Sequence, residues 1–371
     1  MILILTQCFP SRLGGIESLI SNLALGLSKT EKITVFADQH NVFYDTIFDN
    51  DHKNEILIRR IGGFKFFRRR RKINTVKSFI ESEQVKLVLA DTWKSLELGI
   101  DYINSKKIPT ICLAHGNELL PNNKKKSERI RYTLNKVSSI VANSFFTENL
   151  LKTLINPEIK VNVIYPGALD IRGIEKTIIS SITGNPILLT LSRVEKRKGH
   201  LFVIECIQKL ILEFPNIQYV IAGTGPELKS LKKIVSKKKL EKNIIFVGKI
   251  NDSQKNFLFK KTNLMVMPTL NETQNCSIEG FGIAYIEAAY FAIPSIASNI
   301  GGTPEAVIHN FTGKIINRIE DLYYSINHLL KNEQQIKELG LNAQKRAIEE
   351  FNWDYISNKY LSLIKSICKL D

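Results

Sequence analysis

Ile187-Leu-Leu-Thr-Leu-Ser192-Arg193-Val-Glu-Lys-Arg-Lys198-Gly199-His200 reads as an apolar strand, a cationic loop and the glycine that opens a helix. Basic side chains at the carboxyl end of a strand stand where an open α/β sheet presents groups to a ligand. The same alternation runs through the chain. Further strands are expected at Met1 to Thr6, Lys32 to Ala37, Ile56 to Ile61, Lys86 to Ala90, Thr110 to Ala114 and Ser139 to Ala142. After about Gly167 the pattern restarts, with strands at Ile187 to Leu191, Gln218 to Ala222, Ile244 to Val247, Leu264 to Met267 and Ile293 to Ala297. Short, apolar, largely β-branched strands separated by helical segments are the signature of a doubly wound parallel sheet. Two such sheets in tandem predict two Rossmann-like α/β domains facing each other across a cleft. The first spans 1–168 and the second 169–353, with a hinge in the polar stretch from Pro166 to Gly184. A chain of 371 residues is long enough for two ordinary cores.

Downstream, Glu279-Gly-Phe281-Gly282-Ile283-Ala-Tyr-Ile-Glu287 sets two carboxylates around a glycine turn. Gly280 and Gly282 let the backbone turn where a side chain would clash, so Glu279 belongs in a loop. Ile283 then begins a helix that carries Glu287 more than a turn inside it. Amides near Gly282 and Ile283 are helix-start donors, a seat for a phosphate. A carboxylate on each side of that seat matches a nucleotide sugar, with ribose on one side of the diphosphate and hexose on the other. An acidic cap on a core helix would give the same pair in isolation. Arg193 and Lys198 combine a planar fork with a point charge, suited to holding a diphosphate and stabilising it as it leaves. No Asp-x-Asp pair accompanies these loops to hold a divalent metal, so no metal is expected, and cations plus a helix start stand in its place.

In order along the chain come Gly14-Gly15-Ile-Glu, His115-Gly-Asn-Glu, Val141-Ala-Asn-Ser, Ile164-Tyr-Pro-Gly, Ser192-Arg through Lys198-Gly-His, and Ala222-Gly-Thr-Gly-Pro. Phe246-Val-Gly, Val266-Met-Pro, the Glu279 to Glu287 segment, Ile300-Gly-Gly-Thr-Pro-Glu and Thr312-Gly follow. Each is common alone; by their order and spacing, the chain resembles glycosyltransferase family four, retaining enzymes of the GT-B fold that use nucleotide-sugar donors. The resemblance implies that a last helix, about 354–371, packs back on the first domain. It implies that Gly15 faces the donor diphosphate and that His115 contacts the transferred sugar near its reacting carbon. It further implies that Lys249 and Ile250 meet the base through main-chain groups, with Phe281, Gly282 and Ile283 about the phosphates. Glu279 would then grip hexose hydroxyls and Glu287 the ribose pair. Arg193, Lys198, Glu279 and His115 form the expected catalytic set.

Net charge is +16, much of it clustered. Phe64-Lys-Phe66-Phe67-Arg68-Arg69-Arg70-Arg71-Lys72 interleaves phenylalanines with cations in the domain that holds the acceptor in this fold. Such a mixture suits an anionic bilayer, where Phe64, Phe66 and Phe67 insert and Arg68 to Arg71 meet lipid phosphates. It also suits nucleic acid or a plain solvated surface. A groove-reading helix or a base-stacking sheet is not evident, so nucleic acid is not an expected partner. No apolar run is long enough to span a bilayer, and five cysteines without paired spacing fit reduced thiols in a cytoplasmic protein. Cys8 and Cys276 are expected only to pack. The leading expectation is a hexosyl- or N-acetylhexosaminyltransferase acting on a lipid-linked acceptor at the inner membrane face. A transferase with a small soluble acceptor is the alternative.

Overall fold

The computed structural model describes residues 1–12 and 14–368, with backbone alone for Lys65 and Phe66. The chain divides into two compact units, Met1–Gly167 with Trp353–Asp371, and Ala168–Asn352. The first carries β1 (Ile2–Leu5), β2 (Ile33–Asp38), β3 (Leu57–Ile61), β4 (Leu87–Ala90), β5 (Thr110–Ala114), β6 (Ser139–Ala142) and β7 (Lys160–Val163). They form one parallel sheet in the order β3-β2-β1-β4-β5-β6-β7. In the second unit, β8 (Ile187–Leu191), β9 (Gln218–Ala222), β10 (Ile244–Gly248), β11 (Leu264–Met267), β12 (Ser295–Ser298) and β13 (Gly313–Ile316) form another parallel sheet. Its order is β10-β9-β8-β11-β12-β13.

Central strands are apolar on both faces because helices cover both. Leu3 and Leu5 of β1 join one buried cluster with Val88, Trp93 and Ile130, while Ile2 and Ile4 join another with Leu19, Leu23 and Ile356. A buried side chain of this size contributes roughly 1.5–3 kcal/mol. Ile356, Tyr360 and Ile364 lie on the helix Trp353–Cys368, which packs along the helix Gly15–Ser28. Gly26 permits that approach, since a Cβ there would meet Ser357 Oγ at 1.9 Å. The end of the expected helix, residues 369–371, lies outside the described residues.

Two strands fall where none was expected. β7 reads Lys-Val-Asn-Val and β13 Gly-Lys-Ile-Ile. Both are edge strands, partly exposed, so their polar residues face water and hide the pattern that a central strand displays. The strand order reverses between β1 and β4 and again between β8 and β11. Ligands in open α/β sheets gather beyond the carboxyl ends of strands at such points. In the second unit those ends lead into the Arg193 to Lys198 loop and into the segment that reaches Glu279.

Candidate active site

Glycines bring the two loops of the second unit together. Gly223, at φ +138°, lies against the Ser192 carbonyl, where a Cβ would stand 1.9 Å from the oxygen. Gly199, at φ +71°, packs on the Pro268 carbonyl at a would-be 2.2 Å, which joins the loop after β8 to the one after β11. The Leu270 amide donates to the Arg197 carbonyl at 2.7 Å and closes the same seam. Glu279 is held from behind: the Gly302 amide donates to its carbonyl at 2.9 Å, and Gly301 lies so close that a Cβ would meet that oxygen at 2.1 Å.

Inside this frame the Lys198 ammonium bonds Glu279 Oε2, and Arg197 Nη1 donates to the same oxygen at 2.6 Å. Lys198 is 8% exposed and Arg197 7%. Burial opposes charge on the Glu279 carboxyl, yet Lys198 and then Arg197 outweigh it and hold its pKa below the ordinary value. For Lys198 burial wins, and its pKa is lowered in spite of Glu279. Two cations and one carboxylate therefore share a nearly dry corner, a field suited to an anion. Arg193 does not join them. Its side chain is 75% exposed and its Nη1 pairs with Glu195 Oε1 at 2.8 Å. The second cation on Glu279 is Arg197, and its adjacency in Lys196-Arg197-Lys198 is the only sign of it in the sequence.

Gly282 takes a left-handed conformation at φ +101° and precedes the helix Ile283–Ala289, with no side-chain cap. Phe281 is buried against the Phe351 ring, centroids 5.7 Å apart, so its side chain serves packing. Glu287, half-buried, receives Lys255 Nζ at 2.8 Å on Oε1. Lys255 also pairs with Asp252 at 2.9 Å. Burial works against the Lys255 charge, but Glu287 and Asp252 raise its pKa overall. Lys255 was not foreseen, since 32 residues separate it from Glu287 and no local pattern links them. It stands on the helix Asp252–Lys261, whose cap Asn251 directly follows Lys249 and Ile250 at the end of β10. Lys249 is exposed and Ile250 partly buried. His200, buried behind the cationic loop, bonds Tyr219 Oη through Nδ1 at 3.0 Å. Burial pushes its pKa down to about 4.

In the first unit His115 closes β5. Its amide donates to Glu118 Oε1 at 2.6 Å, and its Nε2 lies 2.8 Å from the Asp91 carbonyl. A carbonyl only accepts, so Nε2 is the donor of that bond. Asp91, absent from the expected site, ends β4; its fully buried carboxylate accepts from Thr6 Oγ1 at 2.8 Å and the Gln7 amide at 2.9 Å. It ties together the two strands at the switch point. Gly15 begins the helix Gly15–Ser28, and the preceding Gly14 leaves room for buried Glu17, which pairs with Arg12 at 2.8 Å.

Only part of the basic run faces outward. It lies on the helix Lys65–Ser82, and its inward face is spent on ion pairs. Lys72 is buried on Asp38 at 2.7 Å and on the Thr6 carbonyl at 2.6 Å. Arg68 Nε pairs with Asp38 at 3.0 Å, and Arg69 with Glu97 at 2.7 Å. Arg68 and Arg69 are thus turned toward carboxylates of the protein, Asp38 at the end of β2 and Glu97 just after the helix Trp93–Leu96. Phe64, Phe67, Arg70 and Arg71 stay exposed; the Phe66 side chain lies outside the described residues.

Two parallel α/β sheets, each with its ligand edge at a switch point, define the broad class. Residues 174–346 match the family model described as Glycosyl transferases group 1, and residues 13–168 match Glycosyltransferase Family 4. A "GDP-mannose-dependent alpha-(1-6)-phosphatidylinositol monomannoside mannosyltransferase" of Mycolicibacterium smegmatis is 21% identical, over 95% of this chain and 94% of that protein. The "N-acetyl-alpha-D-glucosaminyl L-malate synthase" of Bacillus anthracis is 22% identical, over 72% and 70%. Among solved structures, Anabaena HepE in complex with UDP and glucose superposes with a TM-score of 0.81 at 20% identity, covering 99% of this chain and all of that one. The chain belongs to the family-four glycosyltransferases and has the GT-B fold. It is an enzyme, a nucleotide-sugar glycosyltransferase.

Proposed function

We propose that the protein moves a hexose or N-acetylhexosamine, with retention at the anomeric carbon, from a nucleoside diphosphate sugar to a hydroxyl of a lipid-linked glycan. The observation that carries the donor half is Glu279, clasped by Lys198 and Arg197 at the switch point of the second sheet, just before left-handed Gly282. In this reading Lys198, Arg197 and Arg193 stabilise the departing diphosphate, and Glu279 accepts from the hexose hydroxyls. Glu287 accepts from the ribose, main-chain groups at Lys249 and Ile250 meet the base, and the amides at Gly282 and Ile283 meet the phosphates. The roles inferred from family resemblance for His115 and Gly15 are proposed unchanged. The leaving phosphate oxygen takes the acceptor proton, so no side chain has to act as base.

The mannosyltransferase relative, whose name specifies a phosphatidylinositol mannoside, supports the lipid-linked acceptor, and a place on the inner face of the cytoplasmic membrane is part of the same proposal. Among the described residues no helix is long and apolar enough to cross a membrane, and all five cysteines are free. The Bacillus relative, whose name couples N-acetylglucosaminyl to L-malate, favours a second reading with a small soluble acceptor. Melting the protein with a panel of nucleotide sugars tests the donor. A true donor at about 100 times its Kd stabilises by about 2.7 kcal/mol. Proton NMR of the product then reads the anomeric configuration; an inverted product refutes the mechanism. The same assay run with long-chain and with soluble acceptors separates the two readings.

A further inference from the structure

The helix Val42–Asp51 is built the wrong way round for a helix on a globular domain. Its buried residue is Asp45. The Asp45 carboxylate accepts from the Ser11 hydroxyl at 2.8 Å and amide at 3.1 Å, and from the His40 and Asn41 amides at 2.8 and 3.1 Å. One turn on, Asp49 receives Arg60 on both oxygens, at 2.6 to 3.2 Å. Polar anchors therefore fix the helix to the unit. Its apolar residues point outward: Val42 is 65% exposed, Phe43 68%, Tyr44 60% and Ile47 45%. Phe48 alone among its large apolar side chains turns in, onto the Phe9 ring at 5.6 Å.

Beside it lies the start of the basic helix. The Gln39 amide donates to the Ile61 carbonyl at 3.0 Å, Gly62 packs against the Gln39 side chain, and Arg68 reaches the Gln39 carbonyl at 3.5 Å. Phe64 and Phe67, 87% and 67% exposed, stand at this neighbouring helix start, with exposed Arg70 and Arg71 following them. Acidic Asp51 and Glu55 lie at the other end of the helix. An apolar face rimmed by cations fits the interface of an anionic bilayer, whose acyl boundary takes aromatic and aliphatic side chains and whose phosphates take arginines. Ten residues are too few to span, so the element lies in the interface plane.

We infer that Phe43, Tyr44 and Ile47, with Phe64 and Phe67, form a bilayer-docking face on the first unit. The inference rests on the membrane part of the proposed function and adds to Phe64 and Phe67 of the basic run a helix outside it. The test is sedimentation with vesicles of phosphatidylglycerol and phosphatidylcholine in equal parts, against phosphatidylcholine alone, at low and high salt. The full-length chain pellets with the anionic vesicles, less so in high salt. The F43S/Y44S/I47S variant loses at least about tenfold in partitioning, because the apolar area it would bury is gone. F64S/F67S gives an independent loss, and both variants keep the parent melting curve and transfer to a soluble acceptor analogue. Undiminished pelleting by both variants overturns the assignment while leaving the membrane reading in place. A parent protein that transfers sugar yet never pellets overturns both the face and the membrane reading. A parent dimer that the triple variant converts to monomer makes the face an interface between copies, and likewise overturns the inference.

Discussion

Burial works against a charge on Lys198, and Glu279 works to hold it there. Glu279 removed would leave two buried cations uncompensated, whereas Lys198 removed leaves Glu279 its bond to Arg197, so the cluster persists as a unit that a diphosphate can join. That Glu279 and Lys198 matter was legible from glycines, a strand end and the spacing of carboxylates. Arg197 and Lys255 were not, because their partners lie 82 and 32 residues away and only the fold brings them near. His200 supplies a residue-scale prediction. Its ordinary pKa is 6.5 and burial pushes it down to about 4. Between those values the unfolded chain binds a proton that the folded one refuses, so stability falls as pH drops through that window. At 1.36 kcal/mol per unit, the loss by pH 4 is about 3 kcal/mol. Glu279 acts lower: its carboxyl is held below the ordinary value of 4.5, so its contribution is full above about that pH and is lost as the pH falls further. Melting temperature against pH checks this; His200→Gln flattens the slope between pH 6.5 and 4, and an unchanged slope refutes the assignment.

Loops of the second unit are held by glycines whose missing side chains are filled by neighbouring backbone. Gly301 is the strictest case, with φ +63° and the Glu279 carbonyl in the place of a Cβ. Gly301→Ala should push Glu279 out of line, lowering the transfer rate at least tenfold and stability by about 1–3 kcal/mol. Gly248, at φ +69° with open space around it, is the control. Gly248→Ala carries only the backbone strain, about 1 kcal/mol, and leaves Glu279 in place. Equal losses of activity in the two variants, measured by initial rates and melting, would contradict the clamp. The Gly-Gly at 301 was visible in the sequence, but its partner carbonyl was not. Central strands showed themselves by β-branched runs; edge strands β7 and β13 did not, because Lys160, Asn162 and Lys314 interrupt the apolar pattern. The helix Val42–Asp51 escaped notice for the opposite reason, since its apolar residues look outward and no core periodicity marks it.

At the scale of the whole chain, the first unit is discontinuous. Its last helix arrives after the second unit is complete, and Trp353 lies flat on Gly167, where a Cβ would meet the indole at 2.9 Å. A chain ending at Asn352 loses Ile356, Tyr360 and Ile364, each buried and worth roughly 1.5–3 kcal/mol. That is enough to unfold the first unit, so calorimetry should show only the transition of the second; a melting profile like the full chain's would contradict it. The two sheets were legible in the strand pattern, whereas the return of the last helix came only from the family resemblance. The proposed donor chemistry relies on side-chain cations, so transfer should survive excess EDTA, and loss restored by Mg²⁺ would refute this. The most direct measurement is the transfer rate from the stabilising nucleotide sugar for Lys198→Ala beside the parent enzyme. Loss of one charge-stabilising donor predicts a fall in kcat of about 10² to 10³ with the fold retained. A Lys198→Ala enzyme that transfers sugar at the parent rate would show that the Lys198–Glu279 clasp is not the donor site.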